Sequence, residues 1–179
     1  KAMHQQYPRA KLYGTARHVD LLPDLPWEQD TTESAPLQAR YAADLAFSIP
    51  AGVDFISAND KVHFSSVLAY HPLSKTIHVD DTLMYVMLPR AAGMLGVRNP
   101  LVFHPTLPQA LLREPGAARA FREWALALAQ DWAAAENLCA AHTGNLLAQT
   151  KAGESIAIRI ERALDKVGRV LSRHERKYG

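Results

Sequence analysis

The sequence predicts a mixed α/β fold: a layer of mainly antiparallel strands with flanking helices. Three observations predict it. Short apolar runs separated by Pro- and Gly-bearing turns fill the first half of the chain, as in a strand meander. Phe121, Trp124, Leu128 and Trp132 then recur at spacings of three and four, an apolar helical stripe. After one more strand-like run, a second helical stripe from Ile156 to Leu171 closes the chain.

In chain order, Ala2–Gln6 reads as the end of a helix stopped by Tyr7-Pro8. Lys11–Gly14 is a short strand candidate. Val19–Ser34, with Pro23, Pro26 and Trp27, reads as a surface loop with room for one helical turn. Ala43–Ile49 and Val53–Ala58 flank Pro50-Ala51-Gly52 and predict a hairpin or meander. Ser65–Tyr70 and Lys75–Val79 flank His71-Pro72-Leu73-Ser74, the clearest hairpin of the chain. Leu83–Leu88 continues apolar, and Gly93–Pro108, with three prolines, reads as loop. Pro115 opens a helix that runs to about Trp132. Glu136–Ala141 follows as a short buried strand. The last helix spans Glu154 to Arg176, with Ile156, Ile160, Ala163, Leu164, Val167, Val170 and Leu171 on its inner stripe.

At 179 residues, with no internal repeat or interdomain linker, residues 1–179 are expected to form a single domain. Hydrophobic content of 48% against 21% charged is that of a soluble globular chain rather than a disordered one. A net charge of +2 gives no basis for nucleic-acid or membrane-surface partners. The basic residues of the last helix alternate with Glu161, Asp165 and Glu175, which is a solvated face. Cys139, the single cysteine, rules out an internal disulfide framework and a multi-cysteine zinc site. No apolar run reaches transmembrane length. A cytoplasmic protein is the expectation, with export left open because the chain starts at Lys1 rather than Met.

The chemistry gathers around three positions. Along Lys75–Asp81, strand alternation puts Ile77, Val79 and Asp81 on the apolar face and Thr76, His78 and Asp80 on the other. A carboxylate on the apolar face is costly unless paired or bound to a cation, so Asp81 is a metal-ligand candidate. Asp80 is expected to turn toward solvent or supporting partners. The alternative is that Asp80-Asp81 caps the next segment through Thr82. His142 shares a strand face with Leu138 and Ala140, and Thr143-Gly144 then turns the chain. His63 precedes the strand that pairs with the Asp81 strand, with the Ser65 and Ser66 hydroxyls available to orient it. Alone, His142 reads as a hydrogen-bonded core histidine before a ligand, and His63 reads no better than either way.

The other groups carry less. His78 faces away from Asp81. His18 and His78 both sit in His-Val-Asp, which reads as coincidence. His104 in the proline-rich loop could touch substrate at a pocket mouth, and His4, His71 and His174 read as surface residues. Cys139 falls on the strand face opposite His142 and reads as a small buried hydrophobe. The aromatic stripe reads as core, with a substrate-binding or homodimer face as the alternative.

Taken together, the three positions resemble the metallo-β-lactamase-like superfamily. That family has a histidine before a strand in a "PGHTxGS"-type motif, then a strand ending "GDTL", and later one ending "xHG". The matching residues here are His63-Phe64-Ser65-Ser66, Val79-Asp80-Asp81-Thr82-Leu83 and Ala141-His142-Thr143-Gly144. Tyr7–Gly14 resembles the helix-to-strand segment after the family's first metal motif. The resemblance runs from about Ala2 to Leu147. It implies an αββα sandwich, of which the carboxyl-terminal two-thirds is present.

The family's HxHxDH signature does not occur in this sequence. Its expected place is just upstream of Ala2, so a fragment of a longer protein is expected, with a degenerate domain as the alternative. The resemblance implies a metal-dependent hydrolase of an unspecified small-molecule substrate. One or two zinc ions are implied, with iron or manganese as alternatives. Asp81 would bridge two metals, His63 would complete the first site and His142 the second. The rival expectation is a catalytically inactive α/β binding or assembly domain that keeps the fold.

Overall fold

The computed structural model describes residues 5–59, 62–89, 91, 94–148 and 153–179. His4, Gly93 and most of the predicted first helix lie outside them. Gln5 and Gln6 are helical. The chain divides into two compact units, Lys1–Ala46 and Phe47–Gly179.

In the first unit, α1 (Ala16–Leu21) starts at Thr15, whose hydroxyl accepts from the His18 amide. In return the Thr15 amide donates to His18 Nδ1 at 3.3 Å, closing a reciprocal cap. His18 is thus a helix-capping residue and its His-Val-Asp lies in no strand. The strand expected over Lys11–Gly14 is reduced to a single bridge between Leu12 and Trp27. α2 (Ala35–Arg40) buries Leu37, and Arg40 pairs with Asp30 at 2.6 Å.

From Ala46 onward the chain builds a five-stranded mixed sheet. Its strands are β1 (Ala46–Ser48), β2 (Leu68–His71), β3 (Thr76–Val79), β6 (Asn137–Ala140) and β7 (Asn145–Leu146), in spatial order 1-2-3-6-7. β2 and β3 form the expected hairpin around His71–Ser74, with Tyr70 opposite Ile77. β3 and β6 run parallel, with Ile77 opposite Leu138 and Val79 opposite Ala140. A parallel pair needs a long crossover. Here it contains β4 (Leu83–Tyr85), β5 (Leu101–Phe103), the short α3 (Leu107–Ala110) and α4 (Ala117–Asp131). β4 and β5 pair antiparallel as a separate two-stranded sheet. β5 falls inside the segment expected to be loop. Leu101 and Phe103 alternate into the core there despite the flanking prolines.

The hairpin expected around Pro50–Gly52 does not form. Val53 pairs with Leu111 instead, and Gly52 holds a φ of 71° close against α4. A Cβ there would meet the Ala117 carbonyl oxygen at 2.0 Å, so only glycine fits.

One face of the large sheet is core. Leu68, Tyr70, Ile77, Val79, Leu138 and Leu146 are buried on it. The aromatic stripe of α4 belongs to the same core. Phe121 is fully buried and meets Phe103 edge-on at 5.1 Å, Trp132 stacks on Tyr70 at 5.6 Å, and Trp124 donates to the Ser48 hydroxyl. α5 (Ile156–Tyr178) packs along α4 and β5. Its buried residues include Ile156, Ile160, Leu164 and Leu171, as the stripe predicts. His174 extends that stripe one step beyond Leu171 and is buried against Tyr178, which corrects its reading as a surface residue. No helix among the described residues is long and apolar enough to cross a membrane.

Candidate metal centre

Because β3 and β6 are parallel neighbours, the chain leaves both at the same end of the sheet. The last paired residues are Val79 and Ala140, and the Ala141 amide still donates to the Val79 carbonyl at 3.0 Å. Asp80-Asp81 therefore emerges beside Ala141-His142. The carboxyl ends of parallel strands are where open α/β sheets place their ligands.

Both exits are locked. Thr82 is wholly buried. Its hydroxyl donates to the Phe64 carbonyl at 2.8 Å and accepts from the Ser66 amide at 3.2 Å. On the other side, the Thr143 hydroxyl accepts from the Tyr85 amide at 3.1 Å. Gly144 lets this turn close on the chain at and after β4: a Cβ there would stand 2.9 Å from Met87 Cγ and 3.3 Å from the Tyr85 carbonyl oxygen. The Asp-Thr and Thr-Gly pairs of the sequence are thus the fasteners of the two exits.

Held this way, Asp80, Asp81 and His142 each offer a ligand atom, and the three atoms lie within 4.8 Å of one another. His142 Nε2 is 3.0 Å from Asp80 Oδ1. The Asp80 side chain is 43% exposed and that of His142 71%, so the group opens to solvent. Two carboxylates this close repel when both are ionised, and a cation between them removes that cost. Zinc bonds of ~2.0–2.2 Å place neighbouring ligand atoms roughly 3.3 Å apart, so the group fits such an ion with small side-chain movements.

Asp81 and His142 come together as the sequence pattern expects. Asp80 joins them, although alternation had turned it elsewhere. β3 stops at Val79, and alternation carries no information through the bend at Asp80 and the turn at Asp81. His63 is exposed and does not join the group among the described residues. Its carbonyl accepts from the Thr106 hydroxyl at 2.7 Å. The neighbouring hydroxyls do not orient its ring: Ser65 donates to the Asp54 carbonyl and Ser66 bonds to Thr82. His104 is half-buried and bonded through Nδ1 to Thr106.

The open face of the sheet beside the group forms a cavity of about 630 Å³, lined by His78, Asp80, Cys139, His142, Thr143 and Asn145 among others. Cys139 and His142 therefore share a cavity, contrary to their assignment to opposite faces. β6 ends at Ala140, and the turn at Ala141-His142 swings the imidazole onto the open face. Such a volume is within the range of small-molecule sites. Comparison with known proteins finds no matching family model, no matching curated protein and no matching solved structure.

Proposed function

We propose that the chain carries a divalent-metal site formed by Asp80, Asp81 and His142 and acts as a metal-dependent hydrolase of the metallo-β-lactamase-like kind. The observation that carries the reading is the convergence of two strand ends some sixty residues apart in sequence, which gathers two carboxylates and an imidazole at the mouth of a cavity. Zinc suits this mixed oxygen and nitrogen donor set, with manganese or iron as alternatives. Bound there, an ion would supply an activated water and polarise the bond to be cleaved.

The protein's own residues do the rest. Asp80 and Asp81 neutralise the cation, and His142 offers a lone pair as a neutral imidazole. Thr82 and Thr143 keep the two exits in register. The exposed side of the group leaves positions for water and for a small-molecule substrate entering from the cavity. In the αββα frame that the resemblance implies, His63 would serve a first metal position completed by an HxHxDH motif.

Zinc titration by calorimetry, with the bound metal counted by atomic emission, tests the reading. At least one ion per chain is expected. Asp81→Ala and His142→Ala should each weaken binding by roughly 100-fold or more, with an unchanged circular dichroism spectrum. Substoichiometric metal that His142→Ala leaves unaltered would sink it. The 3.0 Å contact between His142 and Asp80 favours one other reading, a binding or assembly domain in which His142 pairs with Asp80 without metal. That outcome is the one in which no zinc binds.

A further inference from the structure

The acids and bases of α5 alternate along the sequence, but the helix sorts them. Between Ile156 and Tyr178 seven arginines and lysines stand against three acids, while the whole chain carries only +2. Arg162, Lys166, Arg169, Arg173 and Arg176 follow one another at steps of three and four, which aligns them on one side of the helix. All five are exposed. At ~1.5 Å of rise per residue the row is about 21 Å long. Glu161 and Asp165 border it, and Glu175 lies round the helix from it. Arg162 pairs with Glu154. Among the described residues, Lys166, Arg169, Arg173 and Arg176 enter no ion pair.

At the amino end of the row the exposed side chains turn apolar. Ile158 stands one turn before Arg162 and is exposed. Arg159, buried, donates from Nη1 to the Asn99 carbonyl at 3.2 Å, so the row meets the neck of the loop joining β4 to β5. Two hydrogen bonds close that neck. The Leu88 amide donates to Asn99 Oδ1 at 2.9 Å, and the Val86 amide to the Pro100 carbonyl at 3.0 Å. Beyond it Met94 is 88% exposed and Leu95 82%, and Val97 is exposed as well. Neighbouring large apolar side chains held in water are the mark of a contact surface. From Val86 to Pro100 the sequence has Arg90 and Arg98 and no acid.

We propose that the α5 row and the β4–β5 loop form one surface that docks on an anionic lipid bilayer. The arginines and lysines lie against phosphate headgroups, and Met94, Leu95 and Val97 enter the acyl boundary. Charge complementarity supplies attraction along the row, and the apolar tip adds burial that only a lipid interior rewards. The tip is what favours a bilayer over a nucleic acid, since contacts to a phosphate backbone use the cations alone. A whole-chain charge of +2 does not oppose docking, because headgroups respond to charges within about one Debye length, roughly 8 Å. Docking of this kind needs no metal at Asp80, Asp81 and His142, so zinc binding and lipid binding can fail separately.

Co-sedimentation of the full chain with vesicles tests the surface. Binding is expected to vesicles of equal parts phosphatidylserine and phosphatidylcholine, and none to phosphatidylcholine alone. Lys166→Gln, Arg169→Gln and Arg173→Gln together should weaken binding roughly 100-fold, at about fivefold for each cation near the surface. Met94→Ser with Leu95→Ser should weaken it roughly tenfold or more at unchanged charge. The replaced side chains are all exposed, so the circular dichroism spectrum should not change. No sedimentation with the anionic vesicles, or binding that the three Gln substitutions leave unaltered, overturns the surface. Binding to a DNA duplex that is tighter than to the vesicles and indifferent to Met94→Ser with Leu95→Ser assigns the row to nucleic acid and overturns the lipid reading. A dimer in gel filtration that Leu95→Ser dissolves gives the apolar tip to a second copy and overturns it too.

Discussion

The two ends of the β3–β6 pair are built in opposite ways. At the amino end, Lys75 Nζ donates to Glu136 at 2.7 Å. The amides of Glu136 and Asn137 both donate to the Lys75 carbonyl, and the Asn137 side-chain amide donates to the Ser74 carbonyl at 3.0 Å. Opposite charges meet there, and the backbone of one strand closes on the other. At the carboxyl end the same strands deliver two carboxylates and an imidazole to one spot, part-open to water. A strand end that serves only the fold balances its charge within the chain. One that gathers like charges around an imidazole keeps a repulsion that a cation from outside would remove.

The largest effect is expected between the two ends. Leu138 is wholly buried at the centre of β6, and the next residue, Cys139, faces the cavity. Leu138→Ala should cost about 2–5 kcal/mol of stability in urea unfolding. Cys139→Ser should stay within about 0.5 kcal/mol, as an open-face substitution does. A comparable loss in both variants would show that the second face is also core, and the site would lose its opening.

A smaller effect tests whether the carboxyl end is fastened as described. Thr82→Val keeps the shape but leaves the Phe64 carbonyl and the Ser66 amide without their partner. About 1–3 kcal/mol of stability should be lost, and zinc affinity should fall because the turn bearing Asp81 loosens. Full stability with full zinc binding would mean that the exit is held by backbone pairing alone.

Much of this frame was legible in the sequence because it depends on local periodicity. The His71–Ser74 hairpin, β6 and the helical stripes of α4 and α5 follow from residues close together in the chain. What was not legible depends on long-range pairing. Val53 finds Leu111 rather than the Ala43–Ile49 run, and β5 emerges from a proline-rich segment where Leu83–Tyr85 is there to pair with it. Nothing in the run around Leu146 announces the two-residue β7. At the site, Asp81 and His142 were legible as residues placed at the ends of apolar strands. Asp80 was not, because alternation was carried past Val79, where β3 stops. His174 was misread because a stripe ending on a polar residue looks like a stripe that has already ended.

The smallest expected effect lies at the amino end and has a sign that distinguishes it. Glu136, first by its hydrogen bond and then by its charge, raises the Lys75 pKa above the ordinary 10.5. A raised lysine pKa favours the folded state fully below that ordinary value, and the contribution is lost as pH climbs through the raised one. Lys75 also holds a left-handed φ of 51°, a strain that Met would share, so Lys75→Met changes the charge with little change in backbone cost. The pair is half-exposed, so the variant should lower the melting midpoint only slightly at neutral pH. The gap should narrow near pH ~11 and in ~1 M salt. Salt should act in the opposite direction at the other end, where it screens the repulsion between Asp80 and Asp81. A Lys75→Met gap that widens in alkali or salt would mean the amino end is not held by charge, and the two ends would no longer differ in kind.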